Sequence, residues 1–362
     1  MSGYNNSNDR INTYRIPIHE TLSEKEFMKD CPNYNELPTI LPAKKRIIVI
    51  GDVHGDLKLT IDSFKLAKLI NNKHEWIANP ADTVVVQVGD QIDSCRFFQG
   101  AQDCHNKRTS DDIANDIDVM EFFDKIHERA SEKGGAVYSL LGNHELLNSQ
   151  GRFNYVSYDN YHNFSYDGHE GAEGRAKAFA PGGIIAQKMA CTRLSVIVIG
   201  SNMFIHAGIL PRFARSLDNL GMDERHKLKY LNVIVRKWLL NQVISQQDKK
   251  IMLEDINLSP FWTRIYGSIP SNTPIDSPEC ETSISPVMNI FKIGKIVVGH
   301  TPQIEHNGDL NGTCNLPSGE STVYRVDGGF SRGFRLFNPV ERVQVLEILD
   351  DNKFRVINNI SD

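Results

Sequence analysis

Residues 46–56 read Arg46-Ile47-Ile48-Val49-Ile50-Gly51-Asp52-Val53-His54-Gly55-Asp56. Four consecutive β-branched residues stop at a glycine, the pattern of a short strand buried on both faces. Leu57 to Ile70 follows, with Leu57, Ile61, Phe64, Leu66 and Leu69 at helical spacing. The unit is therefore strand, glycine-punctuated loop, helix. It recurs downstream. Thr83 to Val88 closes on Gly89-Asp90-Gln91-Ile92-Asp93 and precedes a helical pattern from Ile113 to Ala130. Ala136 to Leu141 closes on Gly142-Asn143-His144-Glu145. Strands alternating with helices imply an α/β layered fold. In such folds ligands gather at the loops beyond the carboxyl ends of the strands, where all three polar blocks sit.

Further out, Leu194–Ile199 and Asn202–His206 flank Gly200-Ser201, a tight hairpin turn. Lys295–Val298 leads into Gly299-His300, and Ser321–Val326 into Asp327-Gly328-Gly329. Val343–Leu349 and Phe354–Ile357 bracket Asp350-Asp351-Asn352 as a final hairpin, and Met222–Ile244 reads as a long helix. Two mixed β-sheets packed face to face as a sandwich, flanked by α-helices, account for this order. Residues 1–44 are polar, carry Pro17, Pro32, Pro38 and Pro42, and read as a lead-in to one domain over 45–362. Asn148–Gly174 and Ser268–Val287 read as long irregular loops, which are usually functional or disordered.

The bulk numbers narrow the class. The chain has 362 residues, 40% hydrophobic and 23% charged, with a formal net charge of -5. That is ordinary for a globular protein with a sizeable core and gives no strong nucleic-acid signal. No run approaches the ~20 apolar residues of a membrane span. Six dispersed cysteines without a C-x-x-C pair read as mostly free thiols. The Asn-rich stretch from Met1 to Arg15 lacks the apolar centre of a signal peptide, so the expected location is cytoplasmic. Oligomeric state is not legible.

Asp52, His54, Asp90, Asn143, His206 and His300 each sit at or just beyond the end of an apolar run. All are oxygen or nitrogen donors, and no cysteine accompanies them, which suits Mn, Fe or Zn better than thiolate-loving metals. Two cations ~3.5–4 Å apart generate a nucleophile near neutral pH and neutralise charge on a phosphoryl group. A lone Asp after a strand is more often a turn former. The combination carries the reading: Gly-Asn-His-Glu arises by chance on the order of once per 10^5 positions, and here it follows two further Gly-Asp blocks.

On these blocks, together with Ile205-His206-Ala207-Gly208 and Val298-Gly299-His300-Thr301-Pro302, the chain resembles the calcineurin-like metallophosphoesterases. The single His before Thr-Pro is similar to the phosphoprotein phosphatase branch. The resemblance implies two divalent metal ions, Mn first, with Fe, Zn or Mg as alternatives. One would take Asp52 and His54, the other Asn143, His206 and His300, with Asp90 bridging.

A departing alkoxide or phenoxide needs a proton, and His144, beside a ligand, is the candidate acid. The resemblance gives it that role, oriented by Asp93. For the phosphate oxygens, the eukaryotic Asp-Arg-Gly is replaced by Asp93-Ser94-Cys95-Arg96, which makes Arg96 a neighbouring candidate. Trp262-Thr263-Arg264 and the stretch from Arg175 to Gly183 resemble the Shewanella-like and bacterial-like phosphatases, and imply Arg264 and Arg175 as phosphate binders. Phe261 and Trp262 read as core packing, and Asp327, Asp56 and Glu145 as support around the metals. The leading function is a protein phosphatase acting on phosphoserine, phosphothreonine or phosphotyrosine by in-line attack of hydroxide generated at the metal pair. The second is a dinucleoside polyphosphate or cap-type pyrophosphohydrolase, in which Tyr155, Tyr158, Tyr161 and Phe164 would stack a base, although loop packing is the preferred reading of those rings. The third is an inactive binding protein on the same scaffold.

Overall fold

The computed structural model describes residues 22–96, 104–108, 112–218, 221–304, 308–335, 338 and 341–359. The strands are β1 (Ile40–Leu41), β2 (Arg46–Ile50), β3 (Val84–Gln87), β4 (Ala136–Leu140), β5 (Ser165–Tyr166), β6 (His169–Glu170), β7 (Arg193–Leu194), β8 (Val196–Ile199), β9 (Asn202–Ile205), β10 (Lys295–Val298), β11 (Asn311–Asn315), β12 (Ser321–Arg325), β13 (Gln344–Leu349) and β14 (Lys353–Asn358). Two six-stranded mixed sheets form, in the orders β14-β13-β2-β3-β4-β7 and β1-β8-β9-β10-β12-β11.

Their packing follows from side-chain alternation along each strand. Ile47, Val49, Val84 and Val86 turn inward and meet Ile197, Phe204 and Val297 of the other sheet. Ile48, Ile50 and Val85 turn outward against the helices Leu57–Leu66 and Asp116–Ser131 through Phe64, Phe122 and Phe123. Val198, Met203 and Ile296 share a third cluster with Leu228, Leu231 and Ile234. Those three leucine and isoleucine residues lie on the helix Glu224–Leu239, within the span expected from Met222 to Ile244. Both sheets are thus covered on both faces, which is why their central strands read as continuous apolar runs.

β2, β3 and β4 are adjacent and parallel, and so are β9, β10 and β12. Each sheet therefore presents three neighbouring carboxyl ends. The loops leaving them carry Asp52, Asp90 and Asn143 on one side, and His206, His300 and Asp327 on the other.

Two local expectations change. The cysteines are paired, not free: Cys31–Cys191, Cys95–Cys104 and Cys280–Cys314. Sequence spacing carries no information about a pair 160 residues apart that meets only when two helix ends pack together. Within residues 1–44, of which 1–21 lie outside the described residues, the helix Glu24–Asp30 buries Phe27 and β1 extends a sheet beside β8. The stretches expected to be irregular contain the helices Tyr158–His162, Gly171–Phe179, Pro278–Ser283 and Ser285–Phe291. Ser157 caps the first of them and Pro278 opens the third, short-range signals that an overall polar composition obscures. Among the described residues no helix is long and apolar enough to cross a membrane.

Candidate metal centre

The loops that build the centre are tightly constrained. His54, Asp90, Asp93 and His300 all adopt left-handed backbone, with φ of 43, 55, 72 and 65°. Non-glycine residues hold that conformation only where their surroundings over-determine it, and it clusters at functional sites. Glu145 supplies part of the restraint. Its Oε2 accepts from the amides of Asp90 at 3.0 Å and Gly142 at 2.7 Å, and its Oε1 accepts from Gln91 at 2.7 Å. Gly142 is required by close approach, since a Cβ there would lie 2.1 Å from Asp90 Oδ1. Asp56 caps the helix Leu57–Leu66 through the Leu59 amide and accepts from the Arg332 amide at 2.9 Å.

Three histidines point a bare nitrogen into one space. His206 Nδ1 lies 2.8 Å from the Val88 carbonyl, His300 Nε2 3.0 Å from that of Trp262, and His54 Nδ1 3.2 Å from that of Ile92. A carbonyl accepts only, so each of these nitrogens carries the proton and the opposite nitrogen of the neutral ring carries a lone pair. Those lone pairs converge on acceptors: His206 Nε2 is 2.9 Å and His300 Nδ1 2.8 Å from Asn143 Oδ1. His54 Nε2 is 4.0 Å from Asp52 Oδ2 and 3.9 Å from Asp90 Oδ2. Lone pairs facing oxygens across such distances call for cations between them. Two groups could each hold an ion: Asp90 with His206 and His300, and Asp90 with His54 and His144.

The electrostatics agree. Burial, then Asp327 and Asp90, raise Asp52 well above the usual carboxylate range. Burial and Asp90 also contribute to raising Asp327 to about 6. Asp52 Oδ1 and Asp327 Oδ2 are buried without a hydrogen-bond partner. Burial and positive neighbours hold His54 and His300 well below the usual histidine value. Burial opposes charge on His206 too, but the Asp90 carboxylate outweighs it and raises that ring. A crowded set of carboxylates and neutral imidazoles fits divalent cations.

His144 differs from the other rings. Its Nδ1 meets a carboxylate, Asp93 Oδ2 at 2.8 Å, and its Nε2 lies 3.8 Å from Asp90 Oδ2. A carboxylate at Nδ1 fixes the ring's orientation and leaves Nε2 facing the site. Arg264 is exposed and donates to the His300 carbonyl at 3.1 Å. Arg96 donates to the carbonyls of Asp93 and Cys95, and its guanidinium lies 4.4 Å over Phe334 and 5.6 Å from the Tyr155 ring. Arg175 does not meet the phosphate-binding expectation. It is fully buried, and its nitrogens are engaged by Asn148, Asn160 and Asp116. Phe261 is buried in the core as expected, whereas Trp262 is half-buried with its ring 6.1 Å from that of His300.

Sequence reasoning passed over Asn148 and Asp116, both buried behind Asp93. Asn148 had a usable signal, lying four residues after His144 on a helical stretch. Tyr155 packs its edge on His144 with centroids 4.9 Å apart. Tyr158, Tyr161 and Phe164 pack against His162, Phe153 and Phe179, in keeping with the loop-packing reading.

The two-sheet sandwich with its convergent carboxylate, amide and imidazole donors defines a metallophosphoesterase. The sequence profile of the calcineurin-like phosphoesterases matches residues 45–304, and the chain belongs to that family. It is 56% identical over 247 residues to "Uncharacterized protein R398" of Acanthamoeba polyphaga mimivirus, covering 66% of this chain and 98% of that one. It is 25% identical over 367 residues to Shewanella-like protein phosphatase 2 of Arabidopsis thaliana, covering 91% and 82%. Among solved structures, a cold-active protein tyrosine phosphatase superposes with a TM-score of 0.59 at 18% identity, covering 88% of this chain and 80% of that one. That last likeness is one of fold.

Proposed function

We propose that this metallophosphoesterase is a protein phosphatase, with His144 as the acid that protonates the leaving oxygen. The observation that carries the reading is the Asp93–His144 pair, aimed at the space enclosed by Asp52, His54, Asp90, Asn143, His206 and His300. Those six residues would hold two divalent cations, which would supply a water of lowered pKa and positive charge for the phosphoryl oxygens. The donor set supports manganese first, with iron, zinc or magnesium as alternatives. Asp93 keeps the proton on His144 Nδ1 and leaves Nε2 free to deliver another to the ester oxygen. Arg264 on one flank and Arg96 on the other provide donors for the phosphoryl oxygens.

One observation favours phosphotyrosine over phosphoserine or phosphothreonine. The acid's side of the site is walled by Tyr155 beside His144, Phe334 beside His54, and Arg96 against both rings. A phenolic leaving group passing His144 would pack on that wall. The relatives named protein phosphatase support the protein substrate. No observation supports the nucleotide or inactive-scaffold readings. The three disulfides fit oxidising surroundings better than the cytoplasmic location expected from the lack of a signal-peptide pattern.

The test is turnover of para-nitrophenyl phosphate and of matched phosphotyrosine, phosphoserine and phosphothreonine peptides by manganese-loaded protein. Faster kcat/KM for the phosphotyrosine peptide is expected. Absence of turnover under every divalent metal would overturn the enzyme assignment, and equal rates would overturn the tyrosine preference.

A further inference from the structure

We infer that Asn148, Arg175 and Asp116 are positioning residues that lock the Asp93 carboxylate, and through it the His144 ring, in the orientation needed for proton delivery. The inference rests on the role of His144 proposed above.

The observation is a continuous, fully buried set of hydrogen bonds behind the dyad. Asp93, Asp116, Asn148 and Arg175 are all 0% exposed. Arginine only donates. Arg175 Nε and Nη2 both reach Asn148 Oδ1, at 3.0 and 2.8 Å, so that end of the amide must be oxygen. The other end, Nδ2, is thereby turned to donate to Asp93 Oδ1 at 2.9 Å and to the His144 carbonyl at 3.0 Å. With Oδ1 occupied, Asp93 offers Oδ2 to His144 Nδ1. The amide direction, and hence which carboxylate oxygen meets the histidine, is set by a guanidinium that hydrogen-bonds to neither and lies 3.7 Å from Asp93 Oδ1.

Asp116 anchors the same assembly at the main chain. Its Oδ1 accepts from the Asp93 amide at 3.1 Å, and its Oδ2 from Arg175 Nη2 at 2.7 Å. Asp93 needs that anchor because its φ of 72° is left-handed. Arg175 Nη1 donates to the Asn160 carbonyl at 3.2 Å, and Phe179 closes over the guanidinium at 4.7 Å. Burying a cation and two carboxylates is a weak source of stability, since a packed apolar group often serves as well. Geometric control of a group that must be placed within a fraction of an ångström is the stronger account.

The experiment compares Asn148→Ala and Arg175→Lys with the parent, using His144→Ala as reference. Asn148→Ala removes the amide but keeps the Arg175–Asp116 pair. Arg175→Lys keeps the charge but loses the two-nitrogen grip. Rates are measured on aryl phosphates from 2,4-dinitrophenyl to phenyl, because proton delivery matters most for the more basic leaving oxygen. The expected result is a kcat loss for phenyl phosphate roughly tenfold greater than for the dinitrophenyl ester, in the same direction as His144→Ala. Equal losses across the series would show general damage and overturn the inference.

A second measurement needs no turnover. In 15N-histidine spectra of the metal-free protein, the His144 Nδ1–H should be protected in the parent and exchange with water in Asn148→Ala. An unchanged signal would overturn the inference. Should Arg175→Lys fail to fold, Asn148→Ala decides alone. A parent inert toward every ester, with the spectral change present, would sink the phosphatase reading and leave the positioning role standing.

Discussion

Replacing Glu145 with glutamine tests whether the centre is held by main-chain contacts as much as by its ligands. The carboxylate serves three amides, those of Asp90, Gln91 and Gly142. Glutamine keeps one oxygen. Placed on Asp90 and Gly142, it turns its NH2 toward the Gln91 amide, where donor meets donor. One charge-assisted bond is lost, worth about 1.5–3 kcal/mol. Burial raises the pKa of Glu145, so removing the charge relieves part of that loss. A net loss of about 2 kcal/mol remains, a fall in Tm of roughly 3 °C for a chain of this size. Because the loops at Asp90 and Gly142 carry the proposed ligands Asp90 and Asn143, metal affinity should fall about 10–100-fold while two ions still bind. Thermal melting in chelator and calorimetric manganese titration measure both quantities. Unchanged Tm and affinity would refute the reasoning. Loss of one ion would refute it differently, by making Glu145 a direct ligand.

Other consequences can be measured on the same preparations. His144→Ala should lower kcat by about 10²–10⁴ with two metals retained, read by steady-state kinetics and metal analysis. Gly299→Ala would place a Cβ 2.2 Å from Asp52 Oδ1, so manganese binding should weaken before the fold does; unaltered titration would count against the placement of Asp52. Asp327 is raised to about 6 from the usual 3.8 in the metal-free protein, so between those values the folded chain holds more protons than the unfolded one. Its contribution to stability is full below 3.8 and is lost as pH rises through about 6. A bound cation reverses that preference, so manganese uptake at pH ~6 should release protons, counted by calorimetry in buffers of different ionisation enthalpy. Opening Cys31–Cys191 frees a segment of 160 residues and should cost roughly 5 kcal/mol in the chain-entropy description, seen as a lower urea midpoint in reductant.

The legible part of the molecule was local. Ile47 to Ile50 announced a two-sided strand because buried parallel strands need apolar residues at every position. Gly51-Asp52, Gly89-Asp90 and Gly142-Asn143 announced loops that carry oxygen donors because a strand that ends at glycine can turn sharply and leave a donor at its carboxyl end. Helix ends were less legible: Met222–Ile244 became Glu224–Leu239, with Asp223 as its cap. The helices inside Asn148–Gly174 were missed because polar surface residues dominate their composition while Ser157 and Phe179 define their ends and packing.

From the sequence alone came the placement of the motif blocks at strand ends, the six candidate donors and the candidate acid beside them, since each depends on residues close along the chain. Tertiary structure alone decided what those residues face. It turned the histidine lone pairs together through the carbonyls of Val88, Trp262 and Ile92. It paired all six cysteines. It also separated two arginines that look alike in sequence, placing Arg264 exposed beside His300 and Arg175 buried behind Asp93. Such contacts join residues tens to hundreds of positions apart. They depend on how sheets and helices pack, which local pattern does not encode.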